Sequence, residues 1–383
     1  MNATQTFIYL TACAVTDTAP VLEQTDFDAL WDMAQMHNMT ALTAKTLQGT
    51  EVFRNASQEE KKRWNDRLNG SIKKTMLFNA ERKKLFNFLE EHKIWYMPLK
   101  GAIINGLYPF GTREFADNDI LFDEAFRDEV NDFMLGRGYS RGDIENADDN
   151  YHKEPFFNFE MHRMLFFDRD TPASFIEYYK DVKDRLIRDS EDGYGYHFSD
   201  DDFYIYFIVH LYKHYTTCGS GFRSVADEYM ILNCGRYDLD FAHIGAELEK
   251  TGARAFEETL RSMTQKVFSK PESIEQSLGE LTPDEKEMLT YFLSSGTFGS
   301  KDNRILNALD SASQGKRPSK VKYALKRIFP DPVRFKYSHP FVYKHKIVYP
   351  FFLMGRLIVN PIRHRKALKR EWEVVNQAGK QDK

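Results

Sequence analysis

The chain has 383 residues, of which 42% are hydrophobic and 14% aromatic, so it can bury large apolar cores and is not expected to be disordered as a whole. The formal net charge is −4. The chain has three cysteines, Cys13, Cys218 and Cys234, and they lack C-x-x-C spacing. These cysteines imply neither a disulfide framework nor a zinc cluster, and they fit a reducing cytoplasm. No apolar run reaches the roughly 18 residues of a membrane span, so no transmembrane segment is predicted.

The first 90 residues are predicted to be helical. Their apolar start has no preceding Lys or Arg, unlike a signal peptide, and predicts a first buried helix. Asp26 precedes a run with helical spacing and is predicted to be its N-cap. From Ser57 a long charged stretch has few helix breakers and many i,i+4 charge pairs, which favours long helices.

Strands and helices alternate after this region. The run IWYMPLKG predicts a strand followed by a turn at Lys100-Gly101, and the helical spacing that follows ends at Pro109. GTREFADNDILFDE then predicts the next strand. The helix and the two strands predict the start of a small α/β unit.

The same unit continues to about residue 168. EAFRDEVNDFMLGRGY predicts an amphipathic helix that ends near Gly136 and Gly138. Polar residues 141–149 predict a loop, and the alternating segment EPFFNFEMHRMLFF predicts a later strand. From about Asp200 the pattern is helical again, and residues 311–320 have the Pro, Gly and Ser content of a linker.

Four segments are therefore predicted. They are a helical N-terminal region at 1–90, an α/β core at 91–190, a helical domain at 191–312 and a basic C-terminal tail at 313–383.

The tail differs from the rest of the chain in charge. Residues 316–383 hold 18 Lys and Arg against 4 Asp and Glu, a net charge of +14. Such a tail could bind a nucleic acid such as tRNA, or a membrane surface through Ile347–Val359 and its basic flanks. Alternatively, it could fold back onto the acidic body of its own chain.

Two acids open the strand that contains Ile120. Asp117 and Asp119 are two residues apart, so on a strand their side chains project to the same face. Their like charges repel unless a cation lies between them, and a divalent metal ion is the obvious candidate. Glu160, on the later strand, could complete such a metal site and help deprotonate an acceptor hydroxyl.

The stretch LKGAIINGLYPFGTREFADNDILF resembles the signature of an uncharacterised nucleotidyltransferase family in the DNA polymerase β-like superfamily. That family shows a strand ending in L-K-G, then R-x-x-x-D-h-D-h-L, an acid-x-His pair, a helix with H…K-H, and Gly-x-x-Arg-x-x-x-Asp. The corresponding residues here, in chain order, are Lys100-Gly101, Arg113, Asp117, Asp119, Glu160, His162, His210, Lys213-His214, and then Gly219-Ser-Gly221-Phe-Arg223 followed by Asp227. The resemblance covers roughly residues 5 to 310.

The resemblance implies an α+β fold, with a polymerase β-like core of mixed sheet and helices flanked by helical regions. It implies catalytic carboxylates that also bind Mg²⁺ or Mn²⁺, namely Asp117, Asp119 and Glu160. The expected substrate-binding residues are Lys100, Gly101, Ala102, Arg113, Arg223 and Asp227. Two histidines, His162 and His214, are expected to contact these residues and hold them in place, without binding the substrate or the metal themselves.

This chain departs from the superfamily pattern at three positions. Ala102 replaces a serine, so only backbone amides of Gly101 and Ala102 could reach the phosphates. Asn118 stands where an apolar residue is usual, which predicts poor packing or a strand edge. The third acid is Glu160 rather than Asp. These departures leave the rate of any reaction open more than the fold.

Several candidate residues also have an ordinary structural interpretation. Lys100 could contact a phosphate or form a salt bridge at the strand end. Arg113 could clamp the triphosphate or pair with Asp117 or Asp119. Neither choice can be made from the sequence.

The helical candidates are equally open. Arg223 and Asp227 could face the substrate or form an i,i+4 pair on a helix surface. His162 could be an ordinary half-buried strand histidine. His210 and His214 share a helical face, and packing against the α/β unit is favoured over zinc binding.

Two functions from different classes follow. The first is a metal-dependent enzyme that transfers a nucleoside monophosphate from a nucleoside triphosphate, with ATP as the expected donor, to a hydroxyl acceptor. The second is a regulatory nucleotide-binding module on a catalytically weakened version of the same fold. The identity of the acceptor cannot be read from the sequence.

Overall fold

The structure, a computed structural model, describes residues 1–114, 117–142, 148–166, 171–296, 340–352 and 354. Its α-helices are α1 (Ala3–Val15), α2 (Phe27–Met36), α3 (Thr40–Leu47), α4 (Glu51–Asn55), α5 (Gln58–Glu91), α6 (Lys100–Ile104), α7 (Arg127–Gly136), α8 (Ala173–Tyr179), α9 (Asp200–Thr216), α10 (Arg223–Asn233), α11 (Phe241–Thr251), α12 (Arg254–Phe268), α13 (Ile274–Gly279), α14 (Pro283–Ser295) and α15 (Pro340–Lys344). Its strands are β1 (Tyr96–Pro98), β2 (Asn118–Phe122), β3 (Ser140–Arg141), β4 (Asp148–Lys153), β5 (Phe157–His162), β6 (Ile187–Arg188) and β7 (Tyr196–His197). The predicted linker and most of the basic tail lie outside the described residues.

Side-chain caps set the starts of the main helices. Asp26 accepts hydrogen bonds from the backbone of Asp28 and Ala29, which confirms it as the N-cap of α2. Ser57 and Glu60 form a reciprocal capping box at the start of α5, a helix of 34 residues. Such caps satisfy amide donors that have no partner inside the helix. The apolar N-terminus forms α1, as expected, with residues 6–13 buried.

Five strands form one mixed sheet in the order β1-β2-β5-β4-β3. β2 and β5 run parallel, and the other pairs are antiparallel. The predictions of β1, β2, β5 and α7 are confirmed. The prediction of a loop over residues 141–149 is wrong at both ends, because Ser140–Arg141 and Asp148–Lys153 pair as β3 and β4.

The sheet separates two apolar cores. Ile120 and Phe122 lie in a core with side chains from α5 and α7, whereas Leu121, between them, lies in the larger helical core. This alternation follows from the two-residue period of a strand. β2 is therefore packed against apolar side chains on both faces. Asp117 and Asp119 precede Ile120, at the end of the strand where this apolar packing stops.

The larger core joins the first helices of the chain to helices of its second half. α1 packs against α3, α10 and α12, so N-terminal and C-terminal helices share one apolar cluster. The fold is the α+β architecture that the sequence predicts. Within the described ranges, no helix combines the length and the apolar character that crossing a bilayer requires.

A network of acids is buried in the helical core around Glu228. The Tyr204 hydroxyl lies 3.0 Å from Glu228 Oε1 and 3.1 Å from Glu257 Oε1, and Thr264 donates to Glu228 Oε2 at 2.8 Å. Arg261 pairs with Glu257 at 2.6 Å. One hydroxyl hydrogen cannot serve two carboxylates, so a proton on Glu228 completes the chain of hydrogen bonds. Burial, opposed by these hydrogen bonds, raises the pKa of Glu228 to about 8.

Glu228→Gln is expected to gain stability over the wild type as pH rises. The native state holds this proton more tightly than the unfolded chain, whose glutamates titrate near 4.5, so wild-type stability falls between about pH 4.5 and about pH 8. The advantage of the variant grows by up to about 1.4 kcal/mol per pH unit in this window. Urea unfolding at two pH values inside the window measures it, with the exposed Glu249→Gln as control. An advantage that does not change with pH would contradict the protonated state.

Candidate active site

Asp119 and Glu160 face each other across the parallel pair β2 and β5. The register pairs Asp119 with Glu160 and Leu121 with His162. Since paired residues of neighbouring strands project to the same face, the two carboxylates lie side by side. The backbone of Leu99, just before α6, donates to the Asp119 carbonyl at 2.9 Å and brings the β1 turn to the same place.

His162 completes a compact group with these acids. Its Nε2 atom lies 3.6 Å from Asp119 Oδ1 and 3.9 Å from Glu160 Oε2, and its Nδ1 atom lies 3.8 Å from Asp148 Oδ1. Nε2 is buried and has no hydrogen-bond partner in the described part of the chain. A buried nitrogen that makes no hydrogen bond, within 4 Å of two carboxylate oxygens, is a position where a cation could be bound by all three groups.

The group fits a single divalent ion. One ligand atom each from Asp119, Glu160 and His162 lie within 4.8 Å of one another. The sequence predicts Asp117, Asp119 and Glu160 as the metal ligands, with His162 as a residue that contacts them. Among the described residues the compact group instead includes His162 and leaves Asp117 outside it.

Burial and mutual repulsion set the electrostatics of the acids. Burial and the charge of Asp119 raise the pKa of Asp117 to about 6. Burial and the charges of Asp119 and Asp117 raise the pKa of Glu160 to about 7. Burial opposes ionisation of Asp119 as well, but His162 and Lys100 outweigh it and lower the pKa of Asp119. Asp119 is thus the carboxylate that stays charged, and its neighbours resist charging beside it.

Lys100, at the start of α6, follows β1 and so lies on the side of Asp119 that is away from β5 and His162. Its ammonium is 2.9 Å from His210 Nδ1. Burial and the charge of Lys100 lower the pKa of His210, so its neutral ring accepts this hydrogen bond. Burial also lowers the pKa of Lys100 to about 8, although Asp119 and Asp117 oppose the shift. Lys100 therefore hydrogen-bonds to His210, instead of forming the salt bridge that the sequence allowed at the strand end.

Arg113 pairs with Asp227. Two parallel hydrogen bonds of 2.7 Å join the guanidinium to the carboxylate, and Tyr108 donates to the same carboxylate at 3.0 Å. Both charged side chains are almost fully buried, at 6% and 5% exposure. The partner is thus neither Asp117 nor Asp119, and Asp227 is not part of an i,i+4 surface pair with Arg223. This geometry makes the pair part of the framework of the site.

Arg223 is held by the loop before Asp117. Its Nη1 atom donates to the Glu114 carbonyl at 2.6 Å. Glu114 is itself buried and fixed, because its carboxylate pairs with Arg67 at 2.6 Å and accepts from the Ala41 amide. The loop that delivers Asp117 is therefore anchored to both α3 and α5.

A small cationic cavity of about 50 Å³ lies beside the acids. It is lined by Lys100, Ile104, Arg113, Phe207, His210, Leu211, His214, Ser220, Arg223, Ser224 and Asp227. The short turn between α9 and α10 brings both helices to it, and Gly219 allows this turn with a φ of 96°. The cavity has room for a few waters, so it is too small to hold a whole nucleotide.

The two predicted phosphate amides differ. The Ala102 amide donates to the Leu99 carbonyl at 3.2 Å, so it is used within the turn. A methyl group built at Gly101 would meet no atom of the described chain within 4 Å, so open space lies beside this glycine. Arg113 also reaches the Gly101 carbonyl, at 3.4 Å. The Ala102 amide is therefore already used, whereas the space beside the Gly101 Cα is open.

Asn118 is buried between the two acids, and the strand-edge expectation for it is wrong. β2 lies between β1 and β5. Asn118 is 1% exposed, and its Oδ1 atom accepts a hydrogen bond of 2.9 Å from Arg82 of α5. Arg82 also contacts Asn79 one turn earlier on the same helix. An arginine from the N-terminal region thus holds the segment that carries Asp117 and Asp119.

Sequence reasoning missed the contribution of β4. Asp148 reaches His162, and Asn150 lies opposite Glu160 in the register. Burial alternates along DDNYHK, with Asp149 and Tyr151 buried and their neighbours not, but the residue types do not alternate between apolar and polar. The buried Asp149 disguised this strand, since it has two arginine partners, Arg127 and Arg141, instead of being apolar.

The fold and the site define a class of protein with a mixed sheet, paired carboxylates on adjacent strands and a cationic cavity beside them. The family profile described as "uncharacterised nucleotidyltransferase" matches residues 23–269, more than half of the chain. The chain belongs to this uncharacterised nucleotidyltransferase family, as the sequence resemblance indicated. Searches of the curated proteins and of the solved structures found no match.

Proposed function

We propose that this protein transfers a nucleoside monophosphate, with AMP from ATP as the expected case, to a hydroxyl group. The observation that supports it best is the placement of Asp119 and Glu160 side by side, next to a cavity lined by Lys100 and Arg223. Carboxylates next to fixed cations are what transfer between phosphate esters requires, because catalysis there is mostly positioning and charge stabilisation.

Asp119, Glu160 and His162 would hold the divalent ion. Their ligand atoms are close enough for one ion, and the Nε2 atom of His162 makes no hydrogen bond in the described chain. When bound, the ion supplies Lewis-acid stabilisation of phosphate charge. Mg²⁺ prefers oxygen ligands, whereas a histidine nitrogen suits a softer ion, so Mn²⁺ is expected to support activity at least as well as Mg²⁺.

The protein's own residues account for the remaining steps. Lys100 and Arg223 bind the leaving phosphates. The acceptor oxygen forms a bond to the α-phosphorus, the bond from that phosphorus to the α,β-bridging oxygen breaks, and pyrophosphate leaves. The hydroxyl proton passes to Glu160, the carboxylate that lies beside Asp119 on the neighbouring strand.

Incubation with α-³²P-labelled ATP, GTP, CTP and UTP tests the proposal. The wild type and the Asp117→Ala/Asp119→Ala variant are incubated in parallel with Mg²⁺ or Mn²⁺ and a clarified lysate as acceptor pool. We expect label to move to an acceptor, and pyrophosphate to be released, with the wild type only. Equal labelling by both proteins would contradict the proposal.

A second candidate is a regulatory module that binds nucleotide without transferring it. The absence of a hydroxyl at Ala102, together with the use of its amide inside the turn, favours this alternative. It predicts metal-dependent nucleotide binding with no pyrophosphate release. Isothermal titration with ATP and Mn²⁺, beside the transfer assay, distinguishes the two.

Roles for the tail remain predictions. In its described part, Ile347, Phe351 and Met354 expose more than half of their surface, which is compatible with contact to a membrane surface. RNA binding through the positive charge is the other option. Liposome flotation tests the membrane contact, and salt-dependent binding tests the RNA contact. The cytoplasmic location is a separate prediction that neither experiment tests.

Arg82→Met is expected to lower the transfer rate about tenfold to a hundredfold. The variant removes the hydrogen bond to Asn118 and lets the segment with Asp117 and Asp119 shift, and a displacement of about 1 Å can cost this much. Steady-state kinetics measure the rate, and Lys83→Met, at an exposed neighbouring position of α5, is the matched control. Equal rates for the two variants would show that Arg82 does not position the acids.

A further inference from the structure

The sheet face that carries the acids continues past them onto β4. In the antiparallel pair of β4 and β5, Asn150 lies opposite Glu160. By the same register, Asp148 lies opposite His162 and His152 lies opposite Asn158. Directly opposed residues share a face, and so do residues two apart on one strand. These side chains form what we call the β4 face: Asp148, Asn150, His152 and Asn158.

The β4 face is polar and partly open. Asp148, Asn150 and Asn158 are partly exposed and His152 is exposed. Asn158 Oδ1 is buried and has no hydrogen-bond donor in the described part of the chain. Amide groups that are not consumed by the fold can bind hydroxyl and amino groups of a ligand.

The β4 face contains no lysine or arginine among the described residues of its strands. The cations of β3 and β4 project to the opposite face: Arg141 pairs with Asp149 there, together with Arg127. Lys153, also on that side, donates to the Arg137 carbonyl at 2.8 Å. Among the described residues, the charge of the β4 face therefore comes from Asp148, with His152 as its titratable base.

On the other side of Asp119, toward β1, the neighbouring side chains include lysine and arginine. Lys100 follows β1, and the cavity beside it also contains Arg223. In phosphate transfer the attacking and leaving oxygens lie in line, on opposite sides of the phosphorus. If the leaving phosphates occupy the cationic side, the acceptor hydroxyl approaches from the β5 and β4 side.

We propose that the acceptor is a small polyhydroxylated molecule, uncharged or carrying amino groups, and that Asn150 and Asn158 bind it with Asp148 nearby. This inference rests on the proposed nucleotidyl transfer. An acceptor with its own phosphate, such as a sugar phosphate or an RNA end, would place negative charge against Asp148, which faces no lysine or arginine among the described residues of β3, β4 and β5. A neutral or aminated polyol instead offers hydroxyl and amino groups that can hydrogen-bond to the amides of Asn150 and Asn158 and to the carboxylate of Asp148.

The test uses the full chain, α-³²P-ATP and Mn²⁺ with three acceptor pools. A metabolite extract is split beforehand on an anion-exchange resin into an unbound pool, which is neutral and cationic, and a bound, anionic pool, and total RNA is the third. We expect labelling of the unbound pool, and its loss after periodate cleavage of vicinal diols in that pool. Labelling only of the anionic pool or of RNA overturns this inference and leaves the transfer reaction standing. No labelling and no pyrophosphate release overturns both.

A variant series then tests the residues. Asn150→Ala and Asn158→Ala are expected to raise the KM for the unbound-pool acceptor about tenfold each, since a lost hydrogen bond of about 1.4 kcal/mol has this effect. The KM for ATP stays unchanged, because the amides lie away from the phosphate side. Asn69→Ala, at an exposed position of α5, is the matched control. Unchanged acceptor KM values in both variants would overturn the assignment of these residues.

Discussion

Asp119→Asn is expected to lower the rate of nucleotidyl transfer by about 10³-fold or more while the protein stays folded. Asp119 faces Glu160 across the strand pair, lies 3.6 Å from His162 and is close enough to Lys100 for their charges to interact. Asparagine keeps the shape but removes the one carboxylate that the site holds charged. Loss of a fixed charge or dipole at a reacting centre costs about 10²–10³-fold even where others remain.

The stability of the same variant separates function from folding. Asp119 repels Asp117 and Glu160 but attracts His162 and Lys100, and its own pKa is lowered, so removing its charge costs some stability in the absence of a cation. We expect Asp119→Asn to melt somewhat below the wild type in buffer with a metal chelator, and to be fully folded at the assay temperature. Pyrophosphate release and thermal melting measure the two effects, and Asp132→Asn, an exposed substitution on α7, is the control. A transfer rate near that of the wild type would remove Asp119 from the reaction.

Arg113→Leu is expected to lower the free energy of unfolding by about 3–5 kcal/mol. Both partners of the Arg113–Asp227 pair are buried, and the variant leaves the Asp227 carboxylate without its cation. Tyr108 alone cannot neutralise it. Because α10 carries Asp227 and the loop before β2 carries Arg113, the loss acts on the contact between the helical domain and the sheet.

A double variant and a surface control sharpen this prediction. Arg113→Leu/Asp227→Leu removes both charges and is expected to recover much of the loss, since two apolar side chains can replace a buried pair. Arg254→Leu breaks an exposed pair with Glu258 and is expected to cost about 0–1 kcal/mol. Chemical denaturation of all three variants gives the comparison. A loss for Arg113→Leu no larger than that of Arg254→Leu would contradict the structural role of the pair.

Elements with a local signal could be predicted from the sequence. The strand with Ile120, the helix that ends at Gly136 and the cap at Asp26 all follow from periodicity or from short-range hydrogen bonds. The Asp-x-Asp spacing likewise places two carboxylates together before any tertiary contact is known. β4 could not be predicted in this way, because Asp149 occupies a buried position where an apolar residue is usual.

Pairings between distant residues could not be predicted. Arg113 and Asp227 are 114 positions apart, and Arg82 lies on a helix that precedes the sheet. The position of His162 beside Asp119 depends on the parallel register of β2 and β5, which no single strand reveals. The sequence therefore predicts which chemical groups are present, whereas the fold decides which of them meet.

The central claim is that Asp119, Glu160 and His162 hold a divalent ion beside a nucleotide. A crystal structure with Mn²⁺ and an ATP analogue that cannot be cleaved at the α-phosphorus, measured at a wavelength where manganese scatters anomalously, tests it most directly. We expect an anomalous peak within bonding distance of all three side chains and the phosphates directed toward Lys100 and Arg223. A peak elsewhere, or a nucleotide bound with no metal at these residues, would contradict the account.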